Sequence, residues 1–341
     1  MEIVRKTLKD ARLGAPKAHA NLAVFPLWTA SPANRPYMTL DEALASGKVR
    51  VTEVSQHGSV PDLCFVNESD LPVLLLDGEE LLGAKQNRVL NLTILAPAGK
   101  TIVVPVSCVE AGRWAHRSAE FSSSDRVLYA RMRASKSADI TGALGSSGRA
   151  RSDQGAVWAS IDQKMACLGT PSPTRAMEDI YDAHRERVNK FVTALTVEPG
   201  QTGAVFSLNG SVAGLEMFDH PEAFAKMFPK LVRSWALDAI EGSPAEVPVP
   251  PVEAAHAFLE ILAEAEMQSF TAVGQGIDVR FRAAQVSGGA VVDGGRVVHL
   301  NAFRRAAEHD GRVGGGGRPV GEGPAPRESW IARASRRLRR L

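Results

Sequence analysis

Two β-type runs, Val89 to Leu95 and Thr101 to Val109, flank the turn-forming Pro97-Ala98-Gly99-Lys100. A buried strand must find partners for its backbone N–H and C=O groups, and two apolar runs this close in sequence can partner each other. The pattern predicts an antiparallel hairpin and commits the first third of the chain to a sheet. Pro105 lies inside the second run and has no N–H to donate, so that strand is expected at an edge or bulged there.

The residues before the hairpin read mostly as strands. Asn21 to Trp28 is an apolar, aromatic run ending in a Ser/Pro/Asn turn. Thr39, with Glu42 three residues on, forms a capping box for a short helix closed by Gly47. Val49 to Ser55 alternates with period two, placing Val49, Val51 and Glu53 on one face. Val73 to Leu76 is apolar at every position, as in a strand covered on both sides.

After the hairpin the pattern changes. Ser118 to about Gly155 is Ser-, Arg- and Gly-rich and reads as a surface excursion. Helical spacing follows at 152–168, with Val157, Trp158, Ile161 and Met165 on one stripe, and again at 174–195. Thr202 to Phe218 reads as a hairpin turning at Asn209-Gly210. A helix from Pro221 is expected to kink or divide at Pro229, and Asp219 is placed as its N-terminal cap. A last helix starts at Val252, and strands are expected near Gln268 to Val273, Ile277 to Phe281, Gly289 to Val292 and Arg296 to Leu300. Strands, then helices around a hairpin, then strands favour an α+β fold over a doubly wound parallel sheet. The predicted organisation is one domain over 1–303: β-rich to 115, the excursion over 118–155, helix-rich over 152–266, closing strands over 268–303.

From Arg304 to the end stand ten arginines and four acids, a net of +6, which leaves −4 on the preceding 303 residues of a chain at +2. This Gly/Pro/Arg-rich tail, 304–341, is too poor in apolar residues to offset its ordering entropy and is expected to be disordered. It lacks the interleaved aromatics of a single-strand binder, so nucleic acid is expected to bind weakly at most. Three scattered cysteines exclude a disulfide framework and favour a reducing compartment. No window is apolar over the roughly 20 residues a membrane span needs, and the expected location is cytoplasmic.

The run GEELLGAKQNRVLNLTILAPAGKTIVVPVSCVEAGRW, from Gly78 to Trp114, resembles the family of ARG and Rhodanese-Phosphatase-superfamily-associated protein domains, ARG standing for ADP-ribosylglycohydrolase. Asn209 to Ile240 and Val291 to Phe303 are similar to the same family. The resemblance implies a fold group and neighbours that process ADP-ribose or phosphate groups, with no established reaction for the domain itself.

Glu79, Glu80, Lys85, Gln86, Asn87 and Arg88 crowd six long polar side chains into ten residues of that run. Carboxylates can hold ribose hydroxyls or a divalent cation, and Lys85 and Arg88 can hold a phosphate; a solvated loop with surface ion pairs is the alternative. Glu110 and Arg113, with Trp114, are further ligand candidates, because a carboxylate just before a Gly-Arg-Trp turn is hard to bury unpaired. Cys108 is a weaker candidate, as a nucleophile beside a cation, against the commoner buried, inert thiol. His299 is another, a general base or a hydrogen-bonded core histidine. Gly274 and Gly276 lack the third glycine and following helix of a dinucleotide fingerprint. Cofactor and metal are left open. The leading expectation is a small-molecule binding or accessory module for an ADP-ribose-like or other nucleotide-like ligand. The alternatives are a carboxylate- or metal-dependent hydrolase of a phosphate- or ribose-containing substrate, and a structural or partner-binding protein.

Overall fold

The structure, a computed structural model, describes residues 1–55, 58–115, 117–241, 247–283 and 285–305. The chain divides into two units, Met1–Ala306 and Ala307–Leu341. The second, and with it most of the basic tail, lies outside the described residues.

In chain order, α1 (Glu2–Asp10) precedes β1 (Arg12–Leu13), β2 (Lys17–His19) and β3 (Leu22–Trp28). β4 (Met38–Thr39) leads into α2 (Leu40–Ala45), followed by β5 (Val49–Glu53), β6 (Asp62–Asn67), β7 (Val73–Leu75), β8 (Glu79–Gly83), β9 (Arg88–Leu90), β10 (Ile94–Ala96), β11 (Lys100–Cys108) and β12 (Phe121–Val127). Next come α3 (Ala130–Ser147), α4 (Gln154–Leu168), α5 (Met177–Ala183), α6 (Arg185–Ala194), the hairpin β13 (Gly203–Leu208) and β14 (Ser211–Phe218), and α7 (Pro221–Ala239). α8 (Val252–Glu264) precedes the closing strands β15 (Met267–Thr271), β16 (Ile277–Phe281), β17 (Val286–Asp293) and β18 (Arg296–Arg304). The class is α+β.

Nine strands form one antiparallel sheet in the order β1-β3-β13-β14-β18-β17-β16-β15, with β2 also paired to β3. Both faces are covered, and period two sorts the side chains between them. Phe25, Leu215, Met217, Leu300 and Ala302 pack with Val4 and Leu8 of α1 and Phe258 and Leu262 of α8. Val24, Phe206 and Phe303 pack on the opposite side with α3 and α7 through Met132, Leu231 and Trp235. On that second face β14 presents Glu216, and β18 presents His299 and Asn301.

Against this second face lies a six-stranded sheet, β12-β8-β9-β11-β6-β5, and a three-stranded one, β10-β7-β4, in which only β4 and β7 run parallel. Their shared core includes Val51, Phe65, Leu81 and Val104, capped by Leu40 and Ala43 of α2. The Thr39/Glu42 capping box is present as expected.

Several expectations need correction. The run Val89 to Leu95 is not one strand of a hairpin: β9 pairs with β11, while β10 leaves for the small sheet and pairs with β7. Between the two strands the Leu90 and Asn91 carbonyls turn to a distant partner, accepting Lys136 Nζ at 3.0 and 2.7 Å. Pro105 is not in a bulge; residues 100–105 of β11 ladder with β6 alone and pairing with β9 begins at Val106, so Pro105 stands at the end of a locally one-sided stretch, where its missing N–H breaks no ladder bond.

Residues 118–155 are not a surface excursion. They form β12 and the helix α3, whose inward residues include Arg133, Lys136 and Ser137, all within 2 % of full burial. Polar residues here are buried because they are paired, which composition cannot reveal. The helix expected over 174–195 divides at His184. α7 instead runs unbroken through Pro229, its buried Phe224, Met227, Phe228, Leu231 and Trp235 outweighing the roughly 3 kcal/mol cost of an interior proline. The N-cap of α7 is His220, whose ring accepts the Glu222 amide at 3.2 Å. Asp219 is occupied elsewhere, by Tyr37 Oη at 2.5 Å and Arg296 at 2.8 Å. α1 was not legible, and β18 continues through Arg304.

Candidate functional site

Alternation along β8 sends Glu79 and Glu80 in opposite directions, and each meets a cation at full burial. Glu79 accepts Lys230 of α7 at 2.7 Å and the Leu76 amide at 3.2 Å. Burial raises its carboxyl above the ordinary range, with Lys230 pulling it back down. Glu80 accepts the Ser124 hydroxyl at 3.0 Å and lies 3.5 Å from Arg126. Burial pushes the Glu80 carboxyl up to about 7, Arg126 opposing and Glu178 adding to the rise.

Between β8 and β9 the chain passes through Gly83 and Ala84, both at positive φ. Arg113 holds this bend. Its Nε donates to Glu110 at 2.8 Å, one terminal nitrogen to the Ala84 and Ala115 carbonyls, the other to the Gly83 carbonyl and Asn87 Oδ1. All five guanidinium donors are thereby used. Glu110 also accepts the Asn87 amide at 3.2 Å, and Arg113 holds its carboxyl below the ordinary range against the effect of burial. Asn87 Nδ2 reaches Glu178 at 3.1 Å, and Glu178 reaches Arg126 at 3.4 Å. One polar chain therefore joins Glu80, Arg126, Glu178, Asn87, Arg113 and Glu110.

Arg88 is different. Its side chain has no exposed surface, one nitrogen donates to Gln86 Oε1 at 3.0 Å, and Nε and Nη2 have no hydrogen-bond partner among the described residues. Burial lowers its pKa, while Cys108 and Glu53 pull it upward. Both carboxylate oxygens of Glu53 are likewise buried without a hydrogen bond. The half-exposed Trp114 ring lies 5.6 Å from the Arg88 guanidinium and 5.4 Å from Lys85 Nζ. Lys85, Arg88, Gln86 and Trp114 thus form one group, next to the braced Asn87, Glu110 and Arg113. Glu79 joins neither. Cys108 is buried with its Sγ 3.8 Å from the Val60 carbonyl, and burial pushes the thiol up to about 11.

A second buried cluster fills the space between the large sheet and β7–β8. Asp77 bonds Lys136 of α3 and, at 2.9 Å, Asn301 of β18. Arg133 of α3 bonds Glu216 of β14 at 2.5 Å and lies 3.5 Å from Asp77. His299 stands between Thr93 Oγ1 at 2.9 Å and Glu216 at 3.1 Å. A carboxylate can only accept, so the ring's Nε2–H donates to Glu216, and in the neutral imidazole Nδ1 then accepts the Thr93 hydroxyl, whose oxygen also takes the Asp77 amide at 3.1 Å. Gly78, at φ 80°, leaves room for this: a Cβ there would stand 3.1 Å from Arg133. Among these residues only His299 was singled out in the sequence. Glu216 and Asn301 carried a readable signal, a lone polar residue inside an apolar strand; Arg126, Arg133 and Lys136 were hidden in a polar stretch.

Among the described residues no group of three or more His, Cys, Asp or Glu side chains could hold a metal ion, and no helix is long and apolar enough to cross a membrane. Fold and site together define an antiparallel α+β domain organised round a buried ionic cluster. Four separate stretches, Asp77 to Thr93, Arg133 to Lys136, Glu216 and His299 to Asn301, meet there. The chain belongs to the family described as ARG and Rhodanese-Phosphatase-superfamily-associated Protein domain, whose model matches residues 10–303. No curated protein and no solved structure matches it.

Proposed function

We propose that this protein is a binding module for a small phosphate-bearing ligand of the nucleotide class, taken up by Arg88, Lys85 and Trp114, with Glu53 as the acceptor for the ligand's hydroxyl groups. The observation that carries the reading is Arg88, a wholly buried guanidinium with two nitrogens unpartnered. An unsatisfied buried charge is costly, and a bound phosphate oxygen is its natural counterpart. Trp114 offers a half-exposed ring for a base, and the unpartnered carboxylate of Glu53 suits a sugar diol. Glu110, Arg113 and Asn87 act as the brace that holds the Gly83–Arg88 bend, since the Arg113 donors are used up within the chain.

Calorimetry with ADP-ribose, AMP and inorganic phosphate tests this. Binding by the wild type should be weakened at least tenfold by Arg88→Met and by Trp114→Ala, the latter with the melting temperature kept. Uniform absence of binding by a folded sample would sink it.

A second reading, hydrolysis of such a ligand, is supported by one observation: Glu80 is held near neutrality, where a carboxyl serves as general acid or base. Turnover of a bound phosphoester that Glu80→Gln abolishes without loss of binding would select it.

A further inference from the structure

α3 and α7 lie side by side on the same face of the large sheet and part near the β13–β14 turn, leaving a half-open cavity of about 350 Å3. This is within the range of pockets that take small molecules. Its inner wall is apolar. Ala130, Ala134 and Ala138 line one side at four-residue spacing, and Leu208, Ala213, Trp235 and Phe303 line the rest. Small residues on α3 make the space, and Trp235 and Phe303 give it an aromatic wall. Trp235 is 3 % exposed, and its indole Nε1, a donor with no acceptor role, has no hydrogen-bond partner among the described residues.

The mouth is cationic. Arg131, Arg304 and Arg305 stand there against Asp139 and Asp238. Asp238 is already bonded to Lys164 at 2.5 Å and to the Arg131 amide at 2.7 Å, and Arg131 bridges Glu241 at 2.9 Å. Arg304 and Arg305 both line the rim of the cavity. We infer that this cavity is a second binding site, for a small aromatic carboxylate whose ring lies against Trp235 and Phe303 and whose carboxylate is held by the arginines at the mouth. Ring burial against Trp235 and Phe303 supplies affinity, and the arginines select the anion. The site is independent of Arg88 and Trp114.

The probe is 2-naphthoate, titrated into the full-length protein and followed by calorimetry. Saturable binding is expected, at least tenfold weaker for the neutral analogue 2-naphthalenemethanol and for Arg304→Ala. Ala134→Trp and, on the same wall, Ala138→Phe should each fill the cavity and abolish binding. Both positions are only partly buried, and circular dichroism establishes that each variant is folded. Trp114→Ala should leave naphthoate binding unchanged. No saturable binding by the wild type, equal binding of the neutral analogue, or binding that survives both folded cavity-filling variants would each overturn the inference.

Discussion

Arg133 on α3 and Glu216 on β14, 83 residues apart, share a 2.5 Å hydrogen bond at a depth where neither side chain has exposed surface. Removing one partner strands the other's charge, which costs about 3–5 kcal/mol. Glu216→Ala and Arg133→Ala should each lose that much stability in denaturant titrations. The double variant Arg133→Met/Glu216→Leu should lose clearly less than the sum, because it strands neither charge. Additive losses would show that the two residues act separately.

Glu80 ties stability to pH. Its carboxyl is raised from 4.5 to about 7 in the fold, so its contribution is fully present below pH 4.5 and is lost as pH rises through 7. The wild type should therefore fall relative to Glu80→Gln between pH 5 and 8, by about 3 kcal/mol at the upper limit. Denaturant midpoints for the two proteins across that range measure it, and parallel curves would count against a raised carboxyl.

The cysteines should differ in reactivity. Cys167 is exposed, Cys64 half-buried, and Cys108 buried with its thiol pushed up to about 11. At pH 7.5 the native protein should label first at Cys167, while Cys108 stays unmodified until unfolding, because the thiolate is the reacting form. Mass spectrometry after timed iodoacetamide treatment reads the order. Early modification of Cys108 would restore it as a nucleophile.

Gly78 should resist replacement. A Cβ at its φ of 80° would meet Arg133 and Val127 at 3.1 Å, adding a clash to backbone strain. Gly78→Ala is expected to cost about 1–3 kcal/mol. By contrast, Gly99→Ala, at φ 61° with nothing within 4 Å of the added atom, should cost only the strain of a left-handed turn. Equal losses at the two sites would remove Arg133 from the explanation.

Much of the fold was legible because period two and turn chemistry are local. The Thr39 capping box, the Asn209-Gly210 hairpin and Ile277–Phe281 stand where the pattern put them. What failed was non-local. Nothing between Val89 and Leu95 announces that a lysine from residue 136 will take two of their carbonyls, and nothing in ARMRASKS announces a buried helix. The candidate site divided in the same way: sequence located the polar residues of the Gly78–Trp114 run, but only the hydrogen bonds separate Arg113, fully engaged, from Arg88, which is not.

β18 occupies an interior position of the large sheet, between β14 and β17, and contributes His299 and Asn301 to the buried cluster. The eight described helices all end before Ala265, well upstream of it. During synthesis, therefore, Asp77, Arg133, Lys136 and Glu216 all emerge before β18 brings His299 and Asn301 to the cluster. A nascent chain halted before Arg296 lacks the strand that bridges β14 and β17, so its largest sheet stands in two pieces, β1 to β14 and β15 to β17, until β18 arrives.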